Sequence, residues 1–151
     1  GSLKAPAGVY TLGLAYGYAN TPWPGSRWPY QPSQQTLRCV DDPHSRWYNR
    51  VVDSTAVTVD WESAEVMKRD DELYRWLIVL NDNFNQIIPG HGSCIFLHLW
   101  RASDSATAGC TALSQEAMGE LLAWLDPAQR PLLVQLRRAD YKKYKKSWKL
   151  P

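Results

Sequence analysis

At 151 residues, with 44% hydrophobic residues and a net charge of +2, the chain fits a single domain that buries about two thirds of the surface its unfolded form exposes. No apolar run approaches the roughly 20 residues of a membrane-spanning helix, and no secretory signal is present; Gly1-Ser2 reads as a cleavage scar, so that absence says nothing of location. Charge is uneven: residues 137–151 hold seven Lys/Arg and one acid, net +6 against −4 for the rest, a balance that gives unspecific attraction to anionic surfaces.

Val9 to Ala15 reads as a strand that enters a long loop, Tyr16 to Gln35. Four prolines there (Pro22, Pro24, Pro29, Pro32) fix φ and remove donors, so the stretch is an ordered loop that either walls a groove or covers a sheet face. Thr36 to Val40 is a short strand closed by the turn Asp41-Asp42-Pro43, whose carboxylates are read as turn and capping groups, and Val51-Val52-Asp53 is the next extended piece. Trp61 to Arg69 has helical character, Leu73 to Leu80 is an apolar strand, and Asn81 to Gly92 is a loop that carries His91 between two glycines. Ser114 is a good N-cap for a helix from Gln115 to Leu125, which Asp126-Pro127 ends, and Leu132 to Leu136 closes the domain as a strand. Beyond it, Tyr141, Tyr144 and Trp148 among the lysines fit either a solvated, frayed terminus or a loosely docked amphipathic segment.

The chemistry-bearing stretch is Ser93 to Arg101, followed by Ala108-Gly109-Cys110-Thr111-Ala112. Alternation along the strand sends Cys94, Phe96, His98 and Trp100 to one face and Ile95, Leu97 and Leu99 to the other. His98 stands near the strand end, with eleven residues between it and Cys110. A thiol attacks as thiolate, and an imidazole brought beside it accepts its proton, so the two together form a minimal acyl-transfer engine. Gly109 has no Cβ, which lets the backbone turn sharply and aim the amides of Gly109 and Cys110 at a developing oxyanion. Arg101, three residues past the histidine, has the fork geometry to pair with a substrate carboxylate. Cys39 and Cys94 either form a disulfide or remain two buried thiols; parity does not decide. A zinc site from Cys94, His98 and Cys110 is hard to build, because four residues of strand separate the first two by about 13 Å.

At these residues the sequence resembles the L,D-transpeptidase catalytic domain, the YkuD-type family of bacterial cell-wall enzymes. The family pattern is a strand-end His, a loop, then Ser/Thr-His-Gly-Cys followed by a hydrophobic residue and Asn or Arg. Thr107-Ala108-Gly109-Cys110-Thr111-Ala112 keeps the Thr, Gly and Cys, and Lys4-Ala5-Pro6-Ala7-Gly8-Val9-Tyr10 is similar to the family's Thr-Pro-x-Gly-x-Tyr/Phe segment. Ala108 stands where the family has a second His, and Ala112 where it has Asn or Arg, which marks a divergent branch; His91 is a candidate replacement for the lost imidazole.

The resemblance implies a mainly β fold, a YkuD-like β-sandwich with one or two helices. The catalytic domain is expected over residues 3–136, with a basic tail over 137–151, and strands of the natural protein are expected to precede this sequence. It implies Cys110, His98 and Gly109 as catalytic residues, and Arg101, Trp100, Tyr48, Asn49 and Arg50 as substrate-binding residues. Peptidoglycan stem peptides are the implied donor and acceptor, in the periplasm or cell envelope, with no cofactor, metal or nucleic acid. Rival readings are an L,D-carboxypeptidase, another cysteine hydrolase, and a non-catalytic wall-binding module that uses the Trp-rich loop and the tail.

Overall fold

The computed structural model describes residues 7–83, 86–102 and 110–151. Among them the order is β1 (Gly8–Gly17), β2 (Tyr30–Pro32), β3 (Leu37–Val40), β4 (Val51–Asp53), β5 (Ala64–Val66), β6 (Trp76–Leu80), β7 (Phe96–Leu99), β8 (Thr111–Leu113), α1 (Gln115–Trp124), β9 (Leu132–Gln135) and α2 (Arg138–Tyr144). The strands form two sheets. A six-stranded sheet runs β2-β1-β6-β7-β8, with β9 on the N-terminal half of β1, and a three-stranded sheet runs β4-β3-β5. The fold is mainly β, consistent with the β-sandwich expectation.

Alternation along β6 and β7 divides the interior in two. Trp76, Ile78, Leu80, Leu97 and Leu99 face α1, where they meet Met118, Leu122 and Leu125. Leu77 and Phe96 face the other way, toward Leu37, Cys39 and Met67 of the small sheet side. β1 serves both partners by a register shift between Leu12 and Ala15, where one extra residue on β1 opposes β6.

The proline-rich segment is more regular than expected. β1 continues to Gly17, and Tyr30–Pro32 adds a short parallel edge strand to it, a position that tolerates proline because one side of an edge strand needs no donors. Trp28 donates its Nε1–H to the Gly13 carbonyl at 2.8 Å, and Trp23 packs edge-on against Trp76 at 5.3 Å. A Cβ at Gly119 of α1 would overlap the Trp23 indole, so the helix accepts glycine there to let the loop lie flat. The loop therefore covers the α1 face of the sheet.

The helical reading of Trp61 to Arg69 is corrected. Ala64–Val66 is a strand on β3, with Val40 opposite Ala64 and Cys39 opposite Glu65. Pairing to the open edge of β3 overrides local propensity here, helped by Asp42, whose carboxylate accepts from the Glu62 amide at 2.8 Å. Its other oxygen accepts from the His44 amide, the capping role expected of the Asp-Asp-Pro turn. α1 starts at Gln115 with the Ser114 side chain accepting from the Ala117 amide, as the N-cap reading requires. The basic tail forms α2, and Tyr141, Leu150 and Pro151 line a cleft with Leu132, Val134 and Leu136 of the β9 region.

Cys39 and Cys94 are joined in a disulfide, Cα to Cα 5.9 Å, which ties β3 to the residues that lead into β7 across 55 positions of chain. Closing a loop of that length restricts the unfolded chain strongly. Replacing both cysteines with alanine is expected to lower unfolding free energy by roughly 2–4 kcal/mol. Urea unfolding of the variant and the parent checks this, and thiol titration of the unfolded, unreduced parent should find Cys110 alone.

Candidate functional site

The site is set by a strand pair that involves only short elements. β7 pairs with β8 in parallel, Leu97 opposite Thr111, His98 opposite Ala112 and Leu99 opposite Leu113. Paired residues share a face, so Ala112 and His98 point the same way. Cys110 immediately precedes β8, and one further step of the register sets it beside Phe96, on the His98 face. From strand rise and spacing, Cys110 and His98 are then diagonal neighbours with Cα atoms roughly 8 Å apart, while the thiol is turned to the Cys94 carbonyl, which lies on the other side of Phe96 from His98 along the chain. Cys110 packs against the cluster containing Phe96, Tyr74, Cys39 and Cys94.

Cys110 is a half-buried thiol outside the disulfide, and its Sγ donates to the Cys94 carbonyl at 3.7 Å. Burial pushes its pKa up to about 11; hydrogen bonding from the Phe96 backbone opposes this, and the Glu65 carboxylate adds to it. His98 is buried in β7, and its Nδ1 lies 2.7 Å from the Leu99 carbonyl. A carbonyl only accepts, so Nδ1 carries the proton and Nε2 presents the lone pair. Burial lowers the His98 pKa, partly offset by the Leu99 carbonyl, with Arg69 lowering and Asp71 raising it further. Both groups are therefore neutral at pH 7. α1 begins five residues past the thiol with β8 between them, beyond the first turn within which a helix dipole acts.

Four side chains that the sequence reading did not single out complete the surroundings. Tyr74 is buried, its ring edge-on to both Phe96 at 5.5 Å and His98 at 5.4 Å. Its hydroxyl donates to Glu65 Oε2 at 3.1 Å, and the Arg69 guanidinium lies 5.0 Å above its ring. Arg69 in turn holds Asp71 through Nε at 3.0 Å and Nη2 at 2.8 Å. Tyr74 reads as part of an apolar strand, and Glu65 and Arg69 as part of a helical segment. Alternation alone would put Tyr74 with Trp76 on the α1 face; it lies in the turn before β6, and that turn carries its ring to the Phe96 and His98 side.

The other expected residues fall in two places. Arg101 is exposed next to the site and bonds Asp71 Oδ2 at 3.3 Å, while Trp100, also exposed, donates its backbone N–H to the Leu113 carbonyl. Asn49, at φ 58°, donates to the Asp82 and Asn83 carbonyls and accepts from the Cys94 amide at 3.0 Å. Tyr48 is buried and accepts from the Gly92 amide. These two side chains clamp the loop ahead of β7, with Arg50 exposed beside them. His91 is exposed at its turn. Gly109 lies outside the described residues. Among the described residues no group of three His, Cys, Asp or Glu is placed to hold a metal ion, and no helix is long and apolar enough to cross a membrane.

A thiol with its pKa near 11 alkylates slowly at neutral pH. Iodoacetamide modification of Cys110, followed by mass spectrometry, is expected to accelerate about tenfold per pH unit from pH 7 to pH 10, because only the deprotonated form reacts. A plateau reached near pH 7 would contradict the neutral resting thiol.

Searches of curated proteins and of solved structures found no significant match. The family model of the L,D-transpeptidase catalytic domain, YkuD, matches residues 1–134. That stretch contains both sheets up to β9, the thiol and the imidazole, and it covers most of the sequence: the chain belongs to the YkuD family of L,D-transpeptidase catalytic domains.

Proposed function

We propose that this protein is a peptidoglycan L,D-transpeptidase that works by cysteine acyl transfer on tetrapeptide stems. The observation that carries the reading is the parallel register of β7 and β8, which supports a thiol and an imidazole with a vacant Nε2 lone pair on one face. Cys110 attacks the carbonyl between the L-centre of the stem's diamino acid and the terminal D-Ala. His98 takes the thiol proton on Nε2 as the carbon–sulfur bond forms, and the amides of Gly109 and Cys110 hold the oxyanion. Collapse of the tetrahedral adduct breaks the amide bond, the imidazolium protonates the departing D-Ala amine, and a thioester remains.

An amine from a neighbouring stem then attacks the thioester, with His98 accepting its proton, to form the cross-link and restore the thiol. Water in place of the amine gives the carboxypeptidase outcome. Trp100 and Arg101 stand at the mouth as stem contacts. Tyr48, Asn49 and Arg50 act at one remove in this reading, by fixing the loop through Cys94 that leads into β7. The cell envelope is the compartment in which this substrate occurs, and the disulfide suits an oxidising space there.

Incubation with disaccharide-tetrapeptide, read by mass, tests the reading. Cross-linked dimers with loss of D-Ala are expected, tripeptide alone would show hydrolysis, and unchanged substrate would overturn it. Cys110→Ala is expected to abolish turnover, and His98→Ala to reduce it on the order of 10²–10⁴-fold, with unfolding curves otherwise preserved.

His98 must be neutral to accept the proton, and burial favours that form. Its pKa lies below the ordinary 6.5, so kcat/KM is expected to hold as pH falls through 6.5 and to decline only in more acidic solution. A pH–rate profile between 4 and 8 checks this. An acid limb centred above 6.5 would remove His98 as the buried base.

A further inference from the structure

The outer face of the β1–β9 pair carries a surface that acyl transfer does not use. Leu132, Val134 and Leu136 alternate onto that face and line a cleft with Tyr141, Leu150 and Pro151, so the basic tail is seated on the sheet. Val9 is paired with Val134 and points the same way. Val9 is 47% exposed and Leu132 60%, so the tail leaves part of this apolar strip open to water. Arg137 is bonded to Asp140, the only acid in residues 137–151. Arg138, Lys142, Lys143, Lys145, Lys146 and Lys149 are all exposed, and none has an ion pair among the described residues. Among these cations Trp148 stacks on Tyr144 with ring centroids 4.6 Å apart and keeps 45% of its surface exposed.

We propose that this face, the basic side of the tail together with Val9, Leu132 and Trp148, is a docking surface for an anionic lipid bilayer, met at the depth of the headgroups. A bilayer interface supplies both things the face calls for: negative charge for the lysines, and an apolar layer just beneath it for the exposed aliphatic and indole groups. Tryptophan suits that boundary because its ring is apolar and its N–H polar. A soluble polyanion answers the lysines alone and leaves the apolar side chains in water. Residues 1–136 carry a net charge of −4 against +6 in the tail, so an anionic surface repels the body of the domain and is approached tail first. Because the tail already rests on β9, docking orders little additional chain and fixes which side of the domain faces the lipid.

The test is co-sedimentation of the full chain with vesicles of phosphatidylcholine alone and of phosphatidylcholine with about 30% phosphatidylglycerol, in about 0.1 M salt. The chain is expected to partition at least about tenfold more strongly onto the anionic vesicles, and to lose most of that preference as salt rises to about 0.5 M. Lys142→Gln, Lys145→Gln, Lys146→Gln and Lys149→Gln combined should bring the two vesicle types to within about threefold of each other, since each cation near the surface contributes several-fold. Leu132→Ser and Trp148→Ser should each weaken binding to anionic vesicles about threefold or more, and leave binding to polyglutamate, a soluble polyanion, unchanged. Equal partition of the parent onto the two vesicle types, or binding to neither, would overturn the proposal. So would vesicle binding that both serine variants leave intact, which would mark the tail as a site for soluble polyanions instead. If the four-lysine variant fails to fold, the lipid and salt dependence of the parent still decides.

Discussion

Parallel pairing of β7 with β8 forces Cys110 and His98 onto the same face, because partners in register share a side of the sheet and residues two apart return to it. Everything else around the candidate site is arranged to keep that pair of strands in place. β6 flanks β7 on its other edge, α1 covers the opposite face, and the disulfide fixes Cys94 just ahead of the strand. Asn49 adds a second tie at the same residue by accepting the Cys94 amide. A one-residue slip of β8 would turn the thiol to the α1 side, where leucines fill the space, and the site would cease to exist.

The sequence carried this plan unevenly, and the division follows the range of the interactions. α1 and its Ser114 cap were legible because capping is local and a helix writes its face into a spacing of three and four residues. The two faces of β7 were legible for the same reason, with period two. β5 was misread as helix, since Ala64-Glu65-Val66 has no local reason to be extended; its strand character comes from β3, more than twenty residues earlier. β8 escaped notice because three residues are too short to show a period. The proline loop with its two tryptophans, Trp23 and Trp28, was equally compatible with a groove wall or a cover, and only the packing against Trp76 and Gly119 distinguishes these.

For the site, the thiol, the imidazole and Arg101 were visible because each belongs to one short stretch of chain. The side chains around them were not. Glu65, Arg69, Asp71 and Tyr74 are drawn together by the β5–β6 connection and meet Cys110 only through sheet topology. A charge run such as Lys68 to Glu72 has the same appearance whether it dissolves in water or borders a pocket. Cys39 and Cys94 illustrate the same limit: Cys39 lies in β3 and Cys94, at φ 53°, just ahead of β7, and their pairing depends on the small sheet closing over β7.

The raised thiol pKa is intelligible once the disulfide next to it is considered. Cys110 lies in the same cluster as the Cys39–Cys94 bridge, with its sulfur bonded to the Cys94 carbonyl. Disulfides are attacked by thiolates, so a resting thiolate there would threaten the bridge that positions β7. With the pKa near 11, about one molecule in ten thousand carries the anion at pH 7. Burial and the Glu65 carboxylate thus suppress thiol–disulfide exchange at this position. On the transpeptidase reading, His98, kept neutral by burial, takes the thiol proton when the acyl donor is present, so that nucleophilicity appears with the substrate rather than before it.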